Sequence, residues 1–195
     1  GKLTIEWDFS GIHPTLLYAQ EGLALDTDAY NGIAGEHNRD VIKRCFNAML
    51  NAKDETTRAP KGLRIRSTGL SWAQIKARIM DYHAPIAHHF FTGAGLRLMR
   101  AESDIAEMVM HRFMDKGYPC LPVHDSFIVH AGLDSWLEAT MEQVIEQQYG
   151  VKPKLKRKLS SRRTQSTSEN MSLDAILKDL DLPQEHRLNA HRKSL

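Results

Sequence analysis

Residues 3–9 alternate without a break, with Leu3, Ile5, Trp7 and Phe9 apolar and Thr4, Glu6, Asp8 and Ser10 polar. A period of two predicts a strand with one buried face and one wet face. Asp8 then falls on the polar face, at the strand's end. The same kind of residue returns at Cys120-Leu121-Pro122-Val123 and Phe127-Ile128-Val129, on either side of the polar pair His124-Asp125. That pattern predicts a hairpin turning at the charged pair.

Helical spacing fills most of the chain between these strands. Leu16, Leu17, Ala19 and Leu23 predict a short helix closing near Gly22, with Pro14 tolerated in its first turn. Asn38 is placed to cap a second helix, whose stripe Val41, Ile42, Cys45, Phe46 and Met49 should be buried. Arg39, Lys43, Asn47 and Asn51 step by four along another face of it. Residues 53–70 read as a basic loop. Ser71-x-x-Gln74 is a capping box opening a helix with Trp72, Ile75, Ile79 and Met80. Residues 86–91 predict a helical stretch stopped by Gly93 and Gly95, and Ser103 begins another that carries Ile105, Met108, Val109 and Phe113 to Gly117. Asp134 is expected to cap a helix bearing Trp136, Leu137, Met141, Val144 and Ile145, and Ser172 one bearing Leu173, Ile176, Leu177 and Leu180. The class is α+β, divided into a core at 1–150, a basic Ser-rich linker at 151–171, and a C-terminal helix and tail at 172–195.

Charge separates these parts. Lys152, Lys154, Lys156, Arg157, Lys158, Arg162 and Arg163 crowd into a strap with no acid among them. Removing those seven from the 26 Lys+Arg leaves 19 against 24 Asp+Glu. An acidic body with a basic strap points to a phosphate-rich partner such as nucleic acid, or to a solvated linker. Two cysteines, Cys45 and Cys120, exclude a disulfide scaffold and suit a reducing compartment. No apolar run is long enough to span a membrane, and the opening residues lack the features of a signal peptide, so the reading is cytoplasmic, with no membrane.

Asp8 at one strand end and Asp125 in a hairpin turn are carboxylates far apart in sequence, suited to holding hard cations from neighbouring strands. Magnesium takes oxygen ligands and keeps positions open for phosphates, and a pair of such ions stabilises both oxygens of a phosphoryl transfer. The residues around them sharpen this. Asp8-Phe9-Ser10-Gly11-Ile12 resembles motif A of the family A DNA polymerases and the single-subunit phage-type RNA polymerases. Arg39-x-x-x-Lys43 resembles their motif B, and Val123-His124-Asp125-Ser126-Phe127 resembles motif C, in the His-Asp-Ser form of the RNA polymerases.

The resemblance implies a polymerase palm-like antiparallel sheet, a small helical fingers region and a basic C-terminal tail. It also implies a template-directed nucleotidyl transfer using two ions, Mg or Mn. Asp8 and Asp125 would be metal ligands together with the Phe9 carbonyl. Arg39 and Lys43 would meet the triphosphate, Lys43 in a catalytic role, with Asn47 and His13 near the nucleotide. His124 and Glu102 would lie along the nucleic acid, and Lys154, Lys156, Arg157 and Lys158 on its phosphates. The partners would be a DNA or RNA template–primer and nucleoside triphosphates.

This chain departs from the family at three points. His13 stands where the DNA polymerases keep a Glu that excludes ribonucleotides, and Asn47 and Asn51 stand where they keep an aromatic ring. Phe46, one position out of step, is expected in the core. Only seven residues precede Asp8, where the family places a thumb and part of its palm. The chain then reads as a fragment of a longer protein or a pared-down palm, and as an inactive nucleic-acid-binding module in the alternative. The helix at 173–182 is a candidate docking segment for a partner protein. His83, His88 and His89 have no acid or cysteine at ligand spacing and read as a surface cluster rather than a zinc site.

Overall fold

The computed structural model describes residues 3–56 and 58–158. The expected helix at 172–182 and the strap beyond Lys158 lie outside them. The chain divides into two compact units. Among the described residues, one comprises 3–10, 104–148 and 153–158, and the other 11–103 and 149–152.

The first unit is built on a four-stranded antiparallel sheet in the order β2-β3-β1-β4. Its strands are β1 (Thr4–Phe9), β2 (Leu121–Val123), β3 (Ser126–His130) and β4 (Leu155–Lys158). The expected alternation in β1 holds, with Ile5, Trp7 and Phe9 buried while Glu6 and Asp8 stay partly exposed. β3 adds Phe127, edge-on to Phe9 at 6.2 Å, and Val129 to the buried set. The hairpin turns at His124-Asp125, since Val123 pairs with Ser126, and His124 adopts φ 54°. The two-residue turns that match the twist of a hairpin have a positive φ at their first central position.

β4 was not expected, because Leu155-Lys156-Arg157-Lys158 lies in the stretch read as linker. Its backbone pairs with β1 from Glu6↔Lys158 to Phe9↔Leu155. An edge strand draws its pairing from main-chain hydrogen bonds and needs no apolar stripe, and charged side chains on it discourage further strand addition.

Helix α5 (Ala94–Met114) begins nine residues before its expected start at Ser103. Its residues Ile105, Val109 and Phe113 join Leu137, Met141, Val144 and Ile145 of α6 (Asp134–Tyr149) in the interior of the sheet unit. Phe113 lies on Trp136 with ring centres 4.1 Å apart. Asp134, expected as a cap, is the first residue of α6 and ties the helix to the sheet. It accepts from the Trp7 indole N–H at 2.6 Å and pairs with Arg157 at 2.7 Å. Replacing Asp134 with Ala removes the partner of a part-buried indole donor and is expected to cost about 1 kcal/mol in urea unfolding. Trp7→Phe in the same background should recover part of that loss, and strictly additive effects would mean that this bond contributes nothing.

The second unit is helical. Short α1 (Ile12–Gln20) opens after Gly11, carries Pro14 in its first turn and ends before Gly22. Leu23, expected on its apolar side, is exposed. After the single-turn α2 (Asn31–Ala34), helix α3 (Arg39–Asn51) buries Ile42, Cys45, Phe46, Met49 and Leu50. Val41 sits at the stripe's margin, half-buried. Asn38 precedes α3 but does not cap it through its side chain. Its amide donates to the Ala34 carbonyl at 2.9 Å, because a 3₁₀ turn at Glu36–Asn38 runs directly into the helix.

Ser71 and Gln74 form the expected reciprocal capping box on α4 (Trp72–Tyr82). Met80 is exposed there, and Lys76 is buried in its place, with its ammonium on Glu55 and the Thr56 carbonyl. A 3₁₀ turn at Ala84–His89 replaces the expected helical stretch at 86–91. Gly95, read as a breaker, is a contact point inside α5. A Cβ there would collide with the Asn51 side-chain oxygen.

The expectation that His83 belongs to a surface cluster is overturned. His83 is fully buried, and its ring nitrogens bond to the Tyr18 hydroxyl (3.1 Å) and the Ala29 carbonyl (2.8 Å). Phe46, as expected, lies in the core, packed edge-on against His83 and Phe90. Cys45 and Cys120 are free thiols, pushed up by burial to about 11 and about 12 respectively. Among the described residues no helix is long and apolar enough to cross a membrane.

Candidate functional site

The side chains nominated by sequence fall in both units, and each unit is taken by itself. In the sheet unit the β1–β3 register sets Asp8 opposite Ser126, and the N–H of Phe9 donates to the Asp125 carbonyl at 3.0 Å. Asp8, Phe9 and Asp125 therefore meet at one end of the sheet although 117 positions separate the two acids. Phe9 is buried through its ring, Asp125 is half-buried in the turn, and His124 is exposed.

The pairing also fixes which residues share the polar face of the sheet. Side chains alternate along a strand and match across it. Glu6 and Asp8 of β1, Ser126 of β3, and Lys156 and Lys158 of β4 are cross-strand or alternate positions on that face. Glu6 accepts from the Ser126 hydroxyl at 2.6 Å and from the Lys158 ammonium at 2.8 Å, and Lys158 is 3.4 Å from Asp8 Oδ2. The Lys158 hydrogen bond, followed by that of Ser126, holds the Glu6 carboxyl below its ordinary range. The bond to Glu6 and the nearby Asp8 charge raise Lys158 in turn.

Glu6 was not among the nominated residues. Its signal was the alternation that placed it beside Asp8 on one face, and its partner Lys158 lies on a strand the sequence did not disclose. Arg157 falls in the opposite alternation, cross-strand from Trp7, where its guanidinium engages Asp134. Lys154 and Lys156 are exposed, and the Lys154 carbonyl accepts from the Ser10 N–H at 2.7 Å.

In the helical unit Arg39 is already engaged. Its Nε and Nη2 lie 3.0 and 2.9 Å from Asp28 Oδ2, and its guanidinium stacks 5.2 Å from the Tyr30 ring centre. Burial pushes the Asp28 carboxyl up, but the Tyr30 N–H, Arg39 and the Asn31 N–H outweigh it and hold the group below its usual range. Lys43, one turn on, is exposed. Asn47 is half-buried, and its carbonyl accepts from the Asn51 amide at 2.9 Å. His13 and Glu102, nominated for two different roles, come together with Nε2 3.1 Å from Oε1. Glu21, His88 and His89 also converge in this unit.

The fold and the polar sheet face define an α+β protein whose antiparallel sheet presents two clustered acids and two lysines on one surface. Compared with models of protein families, with curated proteins and with solved structures, the chain matches none.

Proposed function

We propose that this chain is the palm-like core of a template-directed nucleotidyltransferase related to the family A and phage-type polymerases. The observation that carries the reading is the meeting of Asp8, Phe9 and Asp125 at one end of β1 and β3, through the Phe9 N–H and the Asp125 carbonyl. Motifs A and C would have to meet in this way for their aspartates to serve one reaction. The donor type fits a hard divalent cation, since both half-buried residues carry carboxylate oxygens. Bound there, two Mg or Mn ions would offset the charge that develops on the attacking and leaving oxygens.

The chain's own residues have further tasks. Asp8 and Asp125 would hold the ions, with the Phe9 carbonyl as an added oxygen ligand. Lys43 would neutralise the triphosphate together with Arg39, which must exchange Asp28 for phosphate to do so. Lys156, exposed on the polar face, suits a nucleic-acid phosphate.

Lys158 supports a second reading. Its ammonium lies between Glu6 and Asp8 and already compensates the carboxylate that a metal would need. A palm used only to bind nucleic acid would keep such a lysine.

Extension of a labelled primer–template separates the two readings, with Mg or Mn present and dNTPs and NTPs offered separately. The first predicts extension. Salt-sensitive binding of primed template without extension, and without Mg-dependent affinity for nucleotides, would establish the second. In either case Lys156→Ala is expected to reduce the slope of log affinity against log salt by about 1, the signature of one lost phosphate contact.

A further inference from the structure

Glu21 ends α1, whereas His88 and His89 end the 3₁₀ turn at Ala84–His89, and 67 positions separate Glu21 from His88. The fold brings their donor atoms within 4.8 Å of one another. His88 Nε2 lies 3.2 Å and His89 Nε2 3.1 Å from the same oxygen, Glu21 Oε1. We infer that Glu21, His88 and His89 form a binding site for a zinc-class divalent cation, with three protein ligands and a fourth position left to water. This inference is independent of the polymerase reading, which involves other residues and a different class of ion.

Three features carry it. The first is convergence. Successive residues of a 3₁₀ helix point about 120° apart, yet the His88 and His89 rings lie with centres 4.1 Å apart and planes 37° from parallel. Both direct Nε2 at one carboxylate oxygen, although the His88 side chain remains largely open to solvent.

The second is spacing. Metal–ligand bonds of about 2.0–2.1 Å in a tetrahedral zinc site put neighbouring donor atoms roughly 3.3 Å apart. The two nitrogen–oxygen separations are close to that edge, and the two nitrogens lie within 4.8 Å of each other, so side-chain rotation of the two imidazoles would seat the metal.

The third is donor chemistry. Two imidazoles and one carboxylate form a set that takes zinc, cobalt or nickel and disfavours magnesium, which prefers oxygen throughout. His89 keeps only 13% of its side-chain surface and Glu21 32%, so two of the three ligands are partly shielded before metal arrives. A cation there would clamp the end of α1 to the turn that follows α4.

The test uses the full chain, freed of any histidine tag and stripped with a chelator. Titration with zinc chloride should show one site of micromolar affinity or tighter, and cobalt chloride should produce the visible d–d bands of a tetrahedral ion. His88→Ala and Glu21→Gln should each weaken zinc binding more than tenfold. The His88 side chain is 61% exposed, so its removal leaves the fold in place, which far-UV circular dichroism verifies. Zinc at about a hundred times Kd should raise the melting temperature of the parent by roughly 5–10 °C and that of His88→Ala far less. No zinc binding by the parent would overturn the inference. Equal affinity in the parent and both variants would do so as well, because it would place the ion on other histidines.

Discussion

Replacing His83 with Ala is expected to destabilise the protein by about 3–5 kcal/mol, read as a fall in the urea midpoint with an unchanged slope. The figure combines a cavity with two orphaned polar groups. His83 has no exposed surface and touches the rings of Tyr18, Phe46 and Tyr82. The Ala29 carbonyl can only accept, so Nε2 must carry the proton and Nδ1 must accept from the Tyr18 hydroxyl. Each of those partners loses its bond in the variant, at about 1–3 kcal/mol when left unsatisfied in the interior. His83→Phe preserves the ring volume and isolates the polar part, with an expected loss of about 2–4 kcal/mol.

The same residue gives stability a pH dependence of definite sign. Burial lowers the affinity of His83 for a proton, against the smaller opposing effect of its bond to the Ala29 carbonyl. In the unfolded chain a histidine takes up its proton near pH 6.5. Below that value the unfolded state binds more protons than the folded one, so stability present at neutral pH falls as acid is added. The parent's unfolding free energy should decline between pH 7 and pH 5. The decline should be shallower in His83→Phe, and identical slopes would show that His83 does not resist protonation.

His83 also marks the limit of what the sequence discloses. Strand β1 was legible because seven residues alternate cleanly, and the β2–β3 hairpin because apolar runs flank a two-residue polar pair. The α3 stripe and the Ser71–Gln74 box were legible for the same reason, since each is a local pattern whose partners lie within a turn or two. What escaped was long-range. Tyr18 and Ala29 are 65 and 54 positions from His83, and the pattern Tyr-His-Ala carries no sign that the ring will meet them. β4 escaped because an edge strand needs only its backbone, and its lysines read as linker. Gly95 escaped because a glycine placed for the close approach of α3 looks, in one dimension, like a glycine that ends a helix. Within the candidate site, Asp8, Phe9 and Asp125 were singled out by their flanking residues, and the fold sets them at one end of β1 and β3. The engagement of Arg39 by Asp28 and of Asp8 by Lys158 was not, because it depends on pairs made by the fold.

If the chain is the nucleotidyltransferase proposed above, Asp8→Asn and Asp125→Asn are each expected to reduce primer extension by at least about a hundredfold while leaving the fold intact. Loss of a residue that merely orients a metal ligand costs about 10–100-fold in metal affinity or activity, and loss of a ligand should cost more. The fold survives for separate reasons at the two positions. Asp125 bonds to Phe9 through its main-chain carbonyl, which the substitution retains. At position 8, Asn keeps the size and shape of Asp, and Lys158 keeps Glu6 at 2.8 Å. Lys158→Met supplies the converse. Removing the ammonium takes one positive charge from beside Asp8, so a polymerase palm should bind Mn more tightly in this variant than in the parent. A module that only binds nucleic acid should gain no Mn affinity and should lose one phosphate contact instead. Full extension by Asp8→Asn or Asp125→Asn would remove the carboxylate pair from the reaction and with it the nucleotidyltransferase assignment.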